Sequence, residues 1–137
     1  MFKKILLLLC FSLILVSCKK DCYTAPEKVV FEFVNSTGEN LIQNGSLTTY
    51  NIMRKTGQDS YTSVELTQTD DHKVILKNVG LFNGTQEYRF TAAPNIFFFS
   101  IKSSGVTTDC DGFQIDKIDF ENVVATKENG YYRIVLD

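Results

Sequence analysis

The sequence predicts an all-β fold: a single antiparallel β-sandwich of the immunoglobulin-like or transthyretin-like type, with a small β-barrel as the alternative. Three observations carry this expectation. Apolar residues recur with a period of two in successive short segments. Asn-Gly dipeptides, favoured in tight hairpin turns, occur at Asn44-Gly45, Asn83-Gly84 and Asn129-Gly130. Beyond the N-terminal segment no amphipathic helical pattern of useful length occurs, and residues 38–42 suffice for one turn at most. A chain of 137 residues, 44% apolar and 22% charged with only 2 Pro, is ordinary for one folded domain; disorder, collagen and a polytopic membrane protein are excluded.

The elements follow in chain order. Lys3 and Lys4 precede an apolar run over residues 5–16 that ends at Val16-Ser17-Cys18. As a helix that run reaches roughly 18 Å, short of the ~30 Å hydrocarbon core, so a secretion signal is the stronger reading and a permanent transmembrane anchor the weaker. Residues 15–18 look like a bacterial lipobox, with Ser17 at the small position and Cys18 as the acceptor of the lipid; ordinary cleavage after Ser17 is the competing reading. The expected organisation is a lipoprotein signal peptide over residues 1–17, a lipid-anchored tether over 18–27 and a β-sandwich domain over 28–137.

Removal of residues 1–17 takes away two lysines and no acid, so the formal charge moves from −2 to −4. With Lys19-Lys20 as the only basic cluster, nucleic acid is an unsuitable partner. Those lysines instead suit lipid headgroups. Of the 4 cysteines, Cys10 leaves with the signal and Cys18 is acylated, which leaves Cys22 and Cys110 as an even pair in an oxidising compartment. An intramolecular disulfide is the natural reading; two free thiols or pairing between chains are the alternatives. Such a bond would hold the Cys110 loop near the membrane. Two distant cysteines and the single His72 do not make a zinc site.

Val29, Phe31 and Phe33 share one face of an opening strand, opposite Glu32. Thr62, Val64 and Leu66 alternate with Ser63, Glu65 and Thr67, and Tyr88, Phe90 and Ala92 alternate with Glu87, Arg89 and Thr91; both stretches read as half-buried strands. Residues 95–101 are apolar on both parities, with Phe97, Phe99 and Ile101 on one and Ile96 and Phe98 on the other. That pattern predicts a central strand covered on two sides, an exposed adhesive face being the alternative. Phe113 and Ile115 lie on one parity and Ile118 and Phe120 on the other, which requires a β-bulge near Asp116-Lys117. A two-residue type I′ turn at Asn129-Gly130 would pair Lys127 with Tyr132, Ala125 with Ile134 and Val123 with Leu136.

Three features offer chemistry. Asp70-Asp71-His72 places acids beside the only histidine, as a general base would need, yet no nucleophile motif accompanies it and a solvated turn accounts for it. Asp109-Cys110-Asp111-Gly112 begins like a calcium loop, but the fifth and twelfth positions are Phe113 and Phe120, which cannot ligate. Tyr50, Tyr61, Tyr131 and Tyr132 have the rings to stack on sugars or peptides, and equally to pack within strands. No catalytic, cofactor-binding or metal-binding residue is assigned, and the chain is read as a non-enzyme.

The lipobox at residues 15–18, the Lys19-Lys20-Asp21 tether, the opening strand continuing into Ser36-Thr37-Gly38-Glu39-Asn40-Leu41-Ile42, and a late Cys before residues 113–120 together resemble a family of small uncharacterised lipoproteins of Bacteroidota. The family form has Asp at the position of Asn40. The resemblance covers most of the chain, though only the lipobox is specific to it. It implies an outer-membrane, lipid-anchored protein with an immunoglobulin-like β-sandwich and no known reaction. Surface-exposed members of that group carry a Lys-plus-acid export signal after the lipidated cysteine. Lys19-Lys20-Asp21 matches it in part, with Cys22 where a second acid is expected, so the cell surface is placed ahead of the periplasmic face. The functional expectation is a non-catalytic binding or adhesion module for a protein or glycan ligand. The alternative is a structural accessory subunit of an outer-membrane complex on the periplasmic side.

Overall fold

The computed structural model describes residues 22–107 and 110–137. The expected signal segment, Cys18 as the expected lipid acceptor, the Lys19-Lys20-Asp21 stretch and Asp109 lie outside the described residues. Eleven strands, and no helix, occur among the described residues: β1 (Tyr23–Thr24), β2 (Val29–Val34), β3 (Asn51–Lys55), β4 (Tyr61–Ser63), β5 (Leu66–Gln68), β6 (Val74–Leu76), β7 (Gly84–Ala92), β8 (Asn95–Val106), β9 (Asp111–Glu121), β10 (Val124–Lys127) and β11 (Tyr132–Val135). They form a six-stranded sheet in the order β1-β9-β8-β7-β3-β4 and a five-stranded sheet in the order β10-β11-β2-β6-β5.

The two sheets pack face to face through aromatic rings. Phe31 of the smaller sheet meets Phe99 of the larger edge to face at 5.2 Å between centroids, and Phe33 meets Phe90 at 4.8 Å. Within the larger sheet Phe90 stacks on Phe97 at 4.6 Å and Tyr88 on Phe99 at 4.9 Å. These rings, with Ile52, Val74, Ile101 and Ile134, are fully buried. The expected inward parities of β2, β7 and β8 are therefore the observed ones, because in a strand alternate side chains must leave on opposite faces.

The expectation of purely antiparallel sheets is corrected. β11 runs parallel to β2, with Tyr132 beside Phe31 and Val135 beside Val34, and β1 runs parallel to β9. Both sheets are mixed, because β2 and β11 lie in one sheet but are separated by most of the chain and can enter it from the same end. The single strand expected over residues 62–67 is also corrected. The chain changes sheet there: the Val64 amide still donates to Ile52 O in the larger sheet, whereas Glu65 O accepts from the Lys77 amide in the smaller. Alternation persists through such a crossing, so periodicity alone does not reveal it.

The bulge in β9 lies where the parity change requires it. Lys102 pairs with Lys117 but Ser103 with Ile115, which leaves Asp116 as the extra residue. The C-terminal hairpin has the expected register, Lys127 opposite Tyr132 and Ala125 opposite Ile134. Its turn is not type I′, since Gly130 has φ +85° while Asn129 is not among the residues at positive φ. Residues 41–45 make one turn, with the Asn44 amide donating to Asn40 O at 3.1 Å.

Tyr88 carries a testable consequence of the tight core. Its hydroxyl is buried and has no hydrogen-bond partner among the described residues, and burial pushes its pKa up to about 12, with the Arg54 charge opposing the rise. Because the folded state holds this proton above the ordinary tyrosine value, stability falls as pH rises from about 10 through about 12. Tyr88→Phe removes an unpaired hydroxyl and is expected to match or exceed the parent protein in stability at neutral pH, and to lose part of that alkaline sensitivity. Urea melts at pH 7 and pH 11 check both; a substantial loss of stability in Tyr88→Phe at neutral pH would mean that the hydroxyl has a stabilising partner.

Candidate functional site

The outer face of β8 decides where a site can be. The expectation that Ile96 and Phe98 are covered is corrected: Ile96 is 54% and Phe98 39% exposed, while Phe97 and Phe99 between and beside them are buried. Only one face of the larger sheet is roofed by the other sheet, and among the described residues nothing packs over its outer face at this point. Isolated exposed apolar residues are ordinary. Two on the same face of a strand hydrogen-bonded on both sides are a stronger signal.

Strand pairing builds the surroundings. Ser63, Met53, Arg89, Phe98 and Glu121 lie in one row across β4, β3, β7, β8 and β9, and Glu87, Ser100 and Asp119 lie in the next. Lys55 and Tyr61, also paired, complete the second row. Lys55 Nζ meets Glu87 Oε2 at 2.6 Å, an exposed pair that raises the lysine pKa through the hydrogen bond and charge of Glu87 and contributes little to stability. The Arg89 guanidinium sits over the Tyr61 ring, 4.4 Å from its centroid. Its one hydrogen bond is from a terminal nitrogen to Met53 Sδ at 3.5 Å, a weak acceptor, and its Nε is buried without a partner. Beside Arg89, which does not line it, is a cavity of 220 Å³ walled by Tyr61 and Phe98, with Lys55, Thr85, Glu87, Ser100 and Glu121 among its polar lining.

A second concavity lies at the end of the sandwich. Leu41, Leu47, Tyr50, Pro94 and Leu136 border a groove of 760 Å³, and a neighbouring 430 Å³ hollow bordered by Ile96 and Val124 shares Asn95, Leu136 and Asp137 with it. This end is opposite the disulfide. β8 runs its twelve residues from Asn95 at the grooved end to Val106 near Cys110, a span of about 40 Å.

The expected disulfide is present, joining Cys22 to Cys110 with Cα atoms 5.2 Å apart and a sequence separation of 88. It is reinforced by β1, which pairs Tyr23 with Asp111 and Thr24 with Gly112. A Cβ at Gly112 would collide with the Thr24 carbonyl, so glycine is needed for this close approach. Asp111 thus begins a strand.

Asp71 does not orient His72. Its carboxylate accepts from Thr69 Oγ1 and pairs with Lys73, and these contacts hold its pKa below the ordinary carboxylate range, Lys73 having the larger effect. His72 occupies a left-handed turn position, φ 58°, and its carbonyl accepts from the Asn40 side chain at 3.2 Å. Asn40 thereby ties two loops together. Of the tyrosines, Tyr50 packs on Phe33 and Phe90, Tyr132 on Phe31 and Phe120, and Tyr131 lies beneath Lys73 at 4.7 Å. Tyr61 joins the outer-face cavity, which Tyr88 also lines.

Arg89 and Glu121 were not singled out by the sequence reading. A signal existed at Ala93-Pro94: a two-residue turn there sets Ala92 opposite Asn95 and hence Arg89 opposite Phe98. No protein-family model matches the chain, and no curated protein or solved structure shows significant similarity to it.

Proposed function

We propose that this chain is a lipid-anchored, non-catalytic binding or adhesion module of the outer membrane, displayed at the cell surface through Cys18, and that it binds with the outer face of its larger sheet. The observation that carries the reading is the pair Ile96 and Phe98, bare on a central strand. An apolar side chain left in water there costs free energy that a ligand covering it would recover. The immunoglobulin-like assignment belongs to the same proposal; two packed sheets, short strands and chain crossings between the sheets at residues 64–65 and 121–124 support it.

The position of the disulfide supports display. Cys22 follows the proposed anchor Cys18 by four residues, and the bond to Cys110 joins that point to one end of β8. Phe98 is eight residues along β8 from Val106, about 26 Å further from the anchored end. The side chains proposed to bind are thus carried away from the bilayer.

Protease shaving of intact cells tests this, with detection by antibody and a periplasmic protein as the integrity control. The expected result is loss of the chain while the control survives. Protection until the outer membrane is opened would sink surface adhesion and favour the accessory-subunit reading, in which the same face docks on a periplasmic partner.

A further inference from the structure

We infer that the outer-face cavity between Tyr61 and Phe98 binds a neutral saccharide, its ring stacked on Phe98 and its hydroxyl groups shared among Glu121, Ser100, Glu87 and Lys55. This rests on the binding-module reading above and adds the chemical class of the ligand.

Three observations converge on that class. The first is mixed chemistry at short range: an exposed aromatic ring lies directly across from a carboxylate on one side, Glu121, and from a guanidinium on the other, Arg89. A pyranose needs an apolar surface for its C–H face and charged or hydroxyl partners for the O–H groups at its rim, and charged partners make the stronger hydrogen bonds. The second is the polar lining: Thr85 and Ser100 bring hydroxyl groups and Lys55 an ammonium to the same cavity, so donors and acceptors for ring hydroxyls stand beside the Phe98 ring.

The third observation is charge. Among the residues that line the cavity Lys55 is paired with Glu87, and Glu121 adds a further carboxylate. A polyanion would meet two carboxylates against one cation, so an uncharged ligand is favoured over an acidic one. A peptide is the other ligand that combines apolar and polar groups, but its usual mode on a sheet is strand addition through backbone hydrogen bonds. β7 and β8, which floor the cavity, are each paired on both sides, so their backbone groups are spent and recognition falls to side chains.

The test uses the full-length chain purified in detergent. It is applied to an array of neutral gluco-, manno- and galacto-oligosaccharides, their sulfated and uronic-acid counterparts, and a random-peptide panel, and the affinity of each hit is measured by calorimetry. Neutral oligosaccharides are expected to bind, their acidic counterparts more weakly. Phe98→Ala and Glu121→Gln are each expected to weaken binding about tenfold, the loss of one stacking or charged hydrogen-bond contact. Thr126→Ala, on the other sheet, leaves affinity unchanged. Melting curves establish that every variant folds.

Preference for acidic glycans, binding of peptides alone, or no binding by any glycan would overturn the saccharide assignment. Full affinity in both Phe98→Ala and Glu121→Gln would overturn the location. If acidic glycans or peptides bind and Phe98→Ala abolishes it, the binding face stands and only the ligand class falls. Silence from every probe together with protection in the shaving experiment would remove the binding-module reading as well.

Discussion

Phe31→Ala is expected to destabilise the domain by about 3–5 kcal/mol and to lower its melting temperature by well over 10 °C. Phe31 is wholly buried, and its ring meets Phe33, Phe99, Phe120 and Tyr132, so it links both sheets and the C-terminal hairpin. Truncation leaves a void at the junction of several rigid rings, and β2 cannot shift to fill it because it is paired to β6 on one side and β11 on the other. Phe98→Ala is the control on the opposite kind of surface: Phe98 is 39% exposed, and its loss is expected to cost less than about 1 kcal/mol. Urea denaturation of the two variants checks the contrast. A Phe98 cost approaching that of Phe31 would mean that the outer face of β8 is covered after all, and both functional proposals would lose their basis.

Removing the disulfide has an effect of similar size by a different route. With a sequence separation of 88 between Cys22 and Cys110, the chain-entropy model assigns about 4–5 kcal/mol to the constraint the bond places on the unfolded chain, and measured values commonly fall below that. The paired Cys22→Ser, Cys110→Ser variant should therefore unfold at much lower urea concentration. A local consequence accompanies the global one. β1 is two residues long and exposed, and it holds to β9 through Tyr23 and Thr24 alone, so without the covalent bond the segment should fray. Trypsin cleavage at Lys28 in the folded state reports that fraying. Unchanged resistance at Lys28 would show that β1 is held independently of the bond.

Much of the local architecture was legible before any tertiary contact was known. The parity of Val29, Phe31 and Phe33, the parity of Tyr88, Phe90 and Ala92, the extra residue near Asp116 and the pairing of Lys127 with Tyr132 all follow from the rule that alternate side chains leave a strand on opposite faces. The candidate site was far less legible. Tyr61 was considered for its ring and Phe98 for its parity, but Arg89 and Glu121 looked like ordinary polar positions of half-buried strands. Arg89 acquires its meaning from Tyr61, which comes from β4, and from Phe98 across the Ala93-Pro94 turn. Neither neighbour is close enough in sequence for periodicity to register it.

By itself the sequence determined that the domain is all-β, where its strands change parity, that Cys22 and Cys110 form an even pair, and which side chains of each strand share a face. Only the tertiary structure decided which faces are covered, that residues 62–67 divide between two sheets, and that β2 takes β11 as a parallel partner across most of the chain. The physical reason is that alternation is a property of a single strand's backbone, whereas burial depends on what another part of the chain brings to that face. Phe97 and Phe98 are adjacent and chemically identical. One lies against Phe90 in the core, and the other keeps 39% of its surface exposed because the second sheet roofs one side of β8 only.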